Sequence, residues 1–256
     1  MSALIQTIDL HRTFTVNSGM FKPRQTLHAV NGINLTVERG DVMGIVGESG
    51  CGKSTLARML LGLTPPSQGQ ILIDGQDVGK MDRRELARRV QPVFQDPYSS
   101  LNPRRSIASI VSFPLDVHGI GSPQDRRNKA IEMLERVGLP ARYADNTPGQ
   151  LSGGQRQLIG LTRLLLADAP VWLLDEPTAS LDIGTESLVL KTLQQRGEGR
   201  TLVIVTHKQS LLPLFDRLIV VTQGRVVLDG PRDAVLARLQ ATKTDTASTH
   251  VKKVSG

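Results

Sequence analysis

The sequence predicts an α/β chain built on a mostly parallel sheet, with a helical insert near its middle. Short, apolar, β-branched runs recur, as in "GDVMGIVG" (40–47), "PVWLLDEP" (170–177) and "RTLVIVTH" (200–207). Stretches with apolar residues at helical spacing separate them, and strands alternating with helices argue a parallel sheet. From about 96 to 150 the texture changes: Pro97, Pro103, Pro114, Pro123, Pro140 and Pro148 punctuate helical pieces such as "RRNKAIEMLERVGL" (126–139).

Along the chain, "LHAVNGINLTV" (27–37) alternates like a half-buried strand, and "KSTLARMLLGL" (53–63) has helical spacing. "QGQILIDGQDV" (68–78) reads as a strand pair turning at Asp74-Gly75. "RRELARRV" is a short charged helix and "VQPVF" (90–94) a strand. "GQRQLIGLTRLLLA" (154–167) and "GTESLVLKTLQQR" (184–196) are helical, "RLIVVTQGRVVLDG" (217–230) is strand, and "RDAVLARLQ" (232–240) is a last helix. Residues 241–256 are polar and unpatterned, and read as a mobile tail.

At 256 residues the chain has room for one domain, or a domain and a subdomain. Its single cysteine, Cys51, excludes an internal disulfide framework and suits a reducing compartment. The opening "MSALIQTIDLHRTF" has no signal-peptide core, and "LIGLTRLLLADAPVWLL" is broken by Arg163 and Asp168, so no membrane span is expected. The formal charge of +7 favours an anionic partner: nucleotide phosphate, nucleic acid or an anionic membrane face. The arginines cluster in "DRRELARRV" (82–90), "NPRRS" (102–106) and "QDRRNKA" (124–130), each of which reads first as a solvated helix face. Without interleaved aromatics, zinc ligands or a helix-turn-helix pattern, direct nucleic-acid binding is not expected.

The strongest chemical signal is "GESGCGKST" (47–55), a G-x-x-x-x-G-K-[ST] match between a strand and a helix. Glycines let the backbone curl around phosphate, and loop and helix-start N–H groups attract its charge. The loop Gly47, Glu48, Ser49, Gly50, Cys51, Gly52, Lys53, Ser54 and Thr55 is therefore a nucleotide site. Lys53 reaches the β- and γ-phosphates, and the Ser54 hydroxyl suits Mg²⁺. "VWLLDEP" (171–177) ends a buried strand in two acids. Asp175 suits Mg²⁺, directly or through water, and Glu176 suits polarisation of an attacking water. "LSGGQRQ" (151–157) puts two glycines at a helix start, where they weaken it by about 1 kcal/mol each relative to Ala in an interior. Folding alone gives no reason for them.

In order, "GESGCGKST", "VFQDP" with Gln95, "LSGGQ", "LLDEP", "SLD" (180–182) and "VTH" with His207 resemble an ATP-binding-cassette ATPase over about residues 1–240. The resemblance implies a P-loop NTPase (RecA-like) core with an antiparallel β subdomain and an inserted helical subdomain. Residues 1–95 and 161–240 would form the core, and 96–160 the helical signature subdomain. Such cassettes pair head to tail around two ATP molecules. Ser152, Gly153, Gly154 and Gln155 would meet the γ-phosphate held by a second cassette, copy or paralogue, and Asp182 would act across the dimer. Gln95 would touch Mg²⁺ and the attacking water, His207 would hold the γ-phosphate and Glu176, and Phe14 would stack on adenine, with "NSGMFKPRQT" (17–26) lengthening its spacing to the loop.

"VFQDPYSSLNPR" (93–104) and "GESGCGKSTLARMLLGL" (47–63) resemble the cassettes of bacterial oligopeptide, dipeptide and nickel importers. Beyond "LSGGQRQ", importers usually continue "RVGIARAL" and carry "SHD" around the histidine. This chain has "LIGLTRLLLADAPVWLLDEPTASLD" and "VTHKQSLLPLFDRLIVV", closer to the nucleotide domain of a type I secretion exporter. Either the chain is a composite of two families or it is an importer cassette that has drifted. A subunit of an importer of peptides or nickel, on the cytoplasmic face of the bacterial inner membrane, with permease subunits and indirectly a substrate-binding protein as partners, is the expectation. An exporter domain is the alternative, and a non-transport ATPase acting on nucleic acid or ribosomes is a third, although neither a second cassette nor a coiled-coil insert is present. A catalytically silent subunit would be expected to lack Lys53 or Glu176, and both are present.

Overall fold

The protein is described from a computed structural model covering residues 3–16, 25–96 and 98–251. Most of the expected 17–26 insert and the last five tail residues lie outside these. The centre is a six-stranded sheet. Five parallel strands lie side by side in the order β6 (Val90–Val93), β7 (Val171–Asp175), β8 (Thr201–Val205), β3 (Val42–Val46) and β9 (Arg217–Thr222). The strand β10 (Arg225–Pro231) adds antiparallel beyond β9. Both β7 and β8 are buried at every position, as strands covered on both faces should be.

Side chains alternate between the two covers. Along β7, Val171 and Leu173 join a core with Leu56 and Met59 of α1 (Lys53–Leu60), whereas Trp172 and Leu174 face the other way. The first core is closed by an antiparallel sheet in the order β2 (Gln25–Glu38), β1 (Ala3–Val16), β4 (Gln68–Ile73), β5 (Gln76–Asp77). Sequence pattern did not reveal β1. Its register with β2 shifts between Thr7 and Leu10, and Asp9 takes a positive φ of 43° there, which breaks the two-residue period that marks a strand.

The second core receives the helical insert. The short α2 (Arg83–Arg89) precedes β6, its start capped by the Asp82 side chain. After β6 come α3 (Ile107–His118), α4 (Pro123–Arg136) and α5 (Gly153–Ala167), with 3₁₀ turns at Ala141–Tyr143 and Pro148–Gln150. Pro123 opens α4 inside a capping box of Ser122 and Asp125. Pro114, by contrast, lies within α3 rather than at a break. A division at 160/161 falls inside α5, so one helix belongs to both the insert and the core. Two further helices, α6 (Ile183–Gly197) and α7 (Arg232–Val251), complete the fold. The segment read as a mobile tail from 241 continues α7 as helix as far as Val251. It contains neither glycine nor proline, and extending a helix is far easier than starting one.

Side chains pack closely against β3. A Cβ on Gly44 would sit 2.6 Å from the Phe215 ring and 2.7 Å from Leu218. Gly44→Ala is therefore expected to lower unfolding free energy by about 1–3 kcal/mol, read from urea melts. An unchanged midpoint would show that this contact yields.

Candidate active site

The loop after β3 folds as its glycines require. Gly52 has φ 106° and caps α1, and a Cβ there would lie 2.0 Å from the Ala29 carbonyl oxygen of β2. Only glycine allows that approach. Lys53 Nζ donates to the carbonyl oxygens of Gly47 (2.9 Å) and Glu48 (2.7 Å), and lies 3.7 Å from Cys51 Sγ. The loop lines a cleft of about 590 Å³ shared with Phe14 and Leu27 of the antiparallel sheet and with the β9–β10 turn. Phe14 is thus beside the loop, with the Arg12 guanidinium 4.6 Å from its ring centre.

At the carboxyl end of β7, Ser54 Oγ donates to Asp175 Oδ1 at 3.2 Å. Burial holds the Asp175 carboxyl above the usual carboxylate range, against the Ser54 hydrogen bond that lowers it. Hydroxyl and carboxylate form a hard-oxygen pair of the kind Mg²⁺ takes when water and phosphate oxygens complete its shell. No cluster of three or more His, Cys, Asp or Glu is placed for a metal among the described residues.

Glu176 is 5% exposed and adopts a positive φ of 49°. Its Oε2 accepts from Thr206 Oγ1 at 3.1 Å, and its Oε1 lies 2.6 Å from His207 Nδ1. The parallel pairing of β7 with β8 causes this: Asp175 is level with Val205, so the two strands release their next residues side by side. Gln95 is exposed just past the end of β6, where Val93 pairs with Leu174, and so borders the same edge.

Other expected site residues lie apart. Ser152 and Gln155 form a capping box on α5: Gln155 N donates to Ser152 Oγ (3.2 Å) and Ser152 N to Gln155 Oε1 (2.9 Å). Asp182 caps α6 by accepting from Thr185 N (2.9 Å) and Thr185 Oγ1 (2.7 Å), and these bonds lower its pKa. Neither segment lines the cleft beside Lys53 among the described residues. Gly154 instead approaches the loop after β7, where a Cβ would be 3.0 Å from the Ser180 carbonyl oxygen.

Sequence reasoning missed Thr206, Gln157 and the Lys208–Glu186 pair. Lys208 Nζ donates to Glu186 Oε2 and to the Thr178 carbonyl oxygen, both at 2.7 Å, and Ser210 Oγ donates to Glu186 Oε1 at 2.6 Å. This brace ties α6 to the residue after His207. Burial raises the Glu186 pKa, but the Lys208 and Ser210 hydrogen bonds outweigh it and leave the pKa lowered.

A glycine-lined phosphate loop at one strand end, beside a hydroxyl–carboxylate pair and a buried glutamate, defines a nucleoside triphosphatase of the P-loop class. A family model described as ABC transporter matches residues 30–179. The dipeptide transport ATP-binding protein DppF of Escherichia coli (strain K12) is 39% identical over 238 residues, covering 91% of this chain and 71% of that protein. The probable D,D-dipeptide transport ATP-binding protein DdpF of the same strain is 40% identical over 241 residues, covering 92% and 75%. A dimeric post-hydrolysis structure of the cassette MJ0796 bound to ADP and Pi superposes with a TM-score of 0.81 at 29% identity, over 89% of this chain and 98% of that one. An ATP-bound bacterial Atm1-family exporter gives 0.75 at 27%, over 91% and 39%. The chain belongs to the ABC transporter family, as an ATP-binding ATPase subunit. The likeness to these dipeptide transport proteins covers more than nine-tenths of the chain, so it does not stop at residue 157. No helix among the described residues is long and apolar enough to cross a membrane.

Lys208→Met leaves Glu186 charged without its partner, and is expected to cost about 1–3 kcal/mol of stability at pH 7. Because the folded pKa of Glu186 is lowered, the brace contributes above the unfolded value and is lost as pH falls through the folded one. The gap between variant and wild-type melts should therefore close in acid. A gap independent of pH would remove the charge from the explanation.

Proposed function

We propose that this ATPase powers a bacterial peptide importer, working as a head-to-tail pair on the cytoplasmic face of the inner membrane. The observation that carries the pairing is the division of the site. Lys53, Ser54, Asp175, Glu176 and His207 gather at one sheet edge, while Ser152–Gln155 line none of that cleft. The positive end of α5 needs a second cassette's phosphate to do chemistry.

In this reading the loop N–H groups and Lys53 hold the β- and γ-phosphates, and Phe14 covers the base. Ser54 and Asp175, together with Gln95, would hold Mg²⁺, which would supply positive charge against the phosphate oxygens. Glu176 accepts a proton from water as its oxygen attacks the γ-phosphorus and ADP leaves, and His207 steadies that carboxylate. Asp182 acts at the interface as well as capping α6.

An apolar groove of about 340 Å³ between α2, β6 and α3 supports permease docking. Phe94, next to Gln95, lines it together with Phe113 and Leu63, both exposed, and with Arg83, Arg84 and Arg163. Such a surface suits an apolar segment that brings carboxylate or carbonyl acceptors. Peptides as cargo are supported by the importer relatives at 39% and 40% identity. An exporter reading draws on the second half of the sequence and the Atm1-family likeness.

ATPase activity of the purified chain should rise faster than linearly with concentration, and Glu176→Gln should lose about 100-fold or more in kcat while forming a dimer in ATP. A linear, undiminished rate in the variant would remove both the base and the pairing. Labelled dipeptide uptake should fail in cells carrying only Glu176→Gln. Normal uptake there, with a labelled solute retained that wild type expels, would favour export.

A further inference from the structure

Gln157 joins the helix that begins with the Ser-Gly-Gly segment to the turn that carries Glu176. Its side chain is 1% exposed. The Nε2 group donates to the Glu176 carbonyl oxygen at 2.7 Å, and Oε1 accepts from Ser180 N at 2.8 Å. One planar amide thus bridges both ends of the turn 176–180. That turn begins in a left-handed conformation, disfavoured for a residue with a Cβ by about 1–2 kcal/mol. Glu176 O also accepts from Ala179 N, at a longer 3.2 Å, while Glu176 N donates to Val205 O. The backbone of Glu176, which aims the carboxylate at Thr206 and His207, is therefore held by three hydrogen bonds, and the shortest of them is the one from Gln157. The close approach of Gly154 to Ser180 O brings the same two segments together a turn earlier on α5.

We propose that Gln157 is a positioning residue for Glu176. It holds the backbone on which the carboxylate turns, and it fixes that backbone to the helix whose first turn carries Ser152–Gln155. The inference rests on Glu176 being the base. In a head-to-tail pair, the same amide links the contact that Ser152–Gln155 make with the partner's phosphate to the chain's own Glu176.

The chemistry of the amide supplies a sharp test. Two groups face it, a carbonyl that needs a donor and an N–H that needs an acceptor. In Gln157→Glu, an ionised carboxylate turns an acceptor toward Glu176 O. The protonated carboxyl restores the wild-type pattern, with its O–H donating to Glu176 O and its carbonyl accepting from Ser180 N. Burial raises a carboxyl pKa, so this variant should switch within reach of neutral pH.

The experiment compares kcat and KM for ATP in wild type, Gln157→Glu and Gln157→Met, from about pH 6 to about pH 9, with a melting curve at each pH. Gln157→Met should lose about 10-fold in kcat with little change in KM, the mark of lost transition-state geometry rather than lost binding. For Gln157→Glu, kcat relative to wild type should climb severalfold as pH falls. A ratio that stays flat, or that only follows the folded fraction, overturns the proposal. Should Gln157→Met fail to fold, the pH ratio of the glutamate variant decides alone. Glu176→Gln runs alongside: if it hydrolyses ATP like wild type, the assignment of the base has failed, whatever Gln157 does.

Discussion

Two carboxylates leave a buried strand together, and keeping them out of water shapes the edge around them. Asp175 and Glu176 are each 5% exposed, and a withdrawn carboxylate is tolerated only where its oxygens are hydrogen-bonded or its charge is met. Asp175 meets Ser54, from the loop after β3. Glu176 meets Thr206 and His207, from the loop after β8. A parallel sheet sends the carboxyl ends of its strands to one edge, so strand order alone brings these partners to the acids. The phosphate loop occupies the same edge for the same reason.

The phosphate loop was legible in the sequence because its chemistry is covalently local. Glycines, ammonium and hydroxyl occupy successive positions between a strand and a helix, and nothing distant is needed to recognise them. Most of the strands and helices were legible too, since burial imposes its period on them. What stayed hidden depends on pairs far apart in the chain: Thr206 with Glu176, Lys208 with Glu186, Gln157 with Ser180. The bulged β1 was hidden because its period is broken. Ser152 and Asp182 show another limit, since the oxygen that suits a ligand also suits a helix cap, and here both side chains cap.

The change of character after residue 157 has a structural counterpart. Ile159 and Leu161 are buried in α5, where one apolar filling replaces another at small cost provided volume is kept. Lys208, the residue after His207, pairs with Glu186 on α6.

Lys53 already has ligands. Its ammonium rests on two carbonyl oxygens of its own loop, so much of the freedom of its long side chain is surrendered on folding rather than on binding. To reach a phosphate, the nitrogen must let go of neutral acceptors and take charged ones, which bind it more strongly. If the proposed phosphate contact forms, nucleotide entry at this atom is an exchange rather than an addition, and a nucleoside without phosphate would offer the lysine nothing to exchange for.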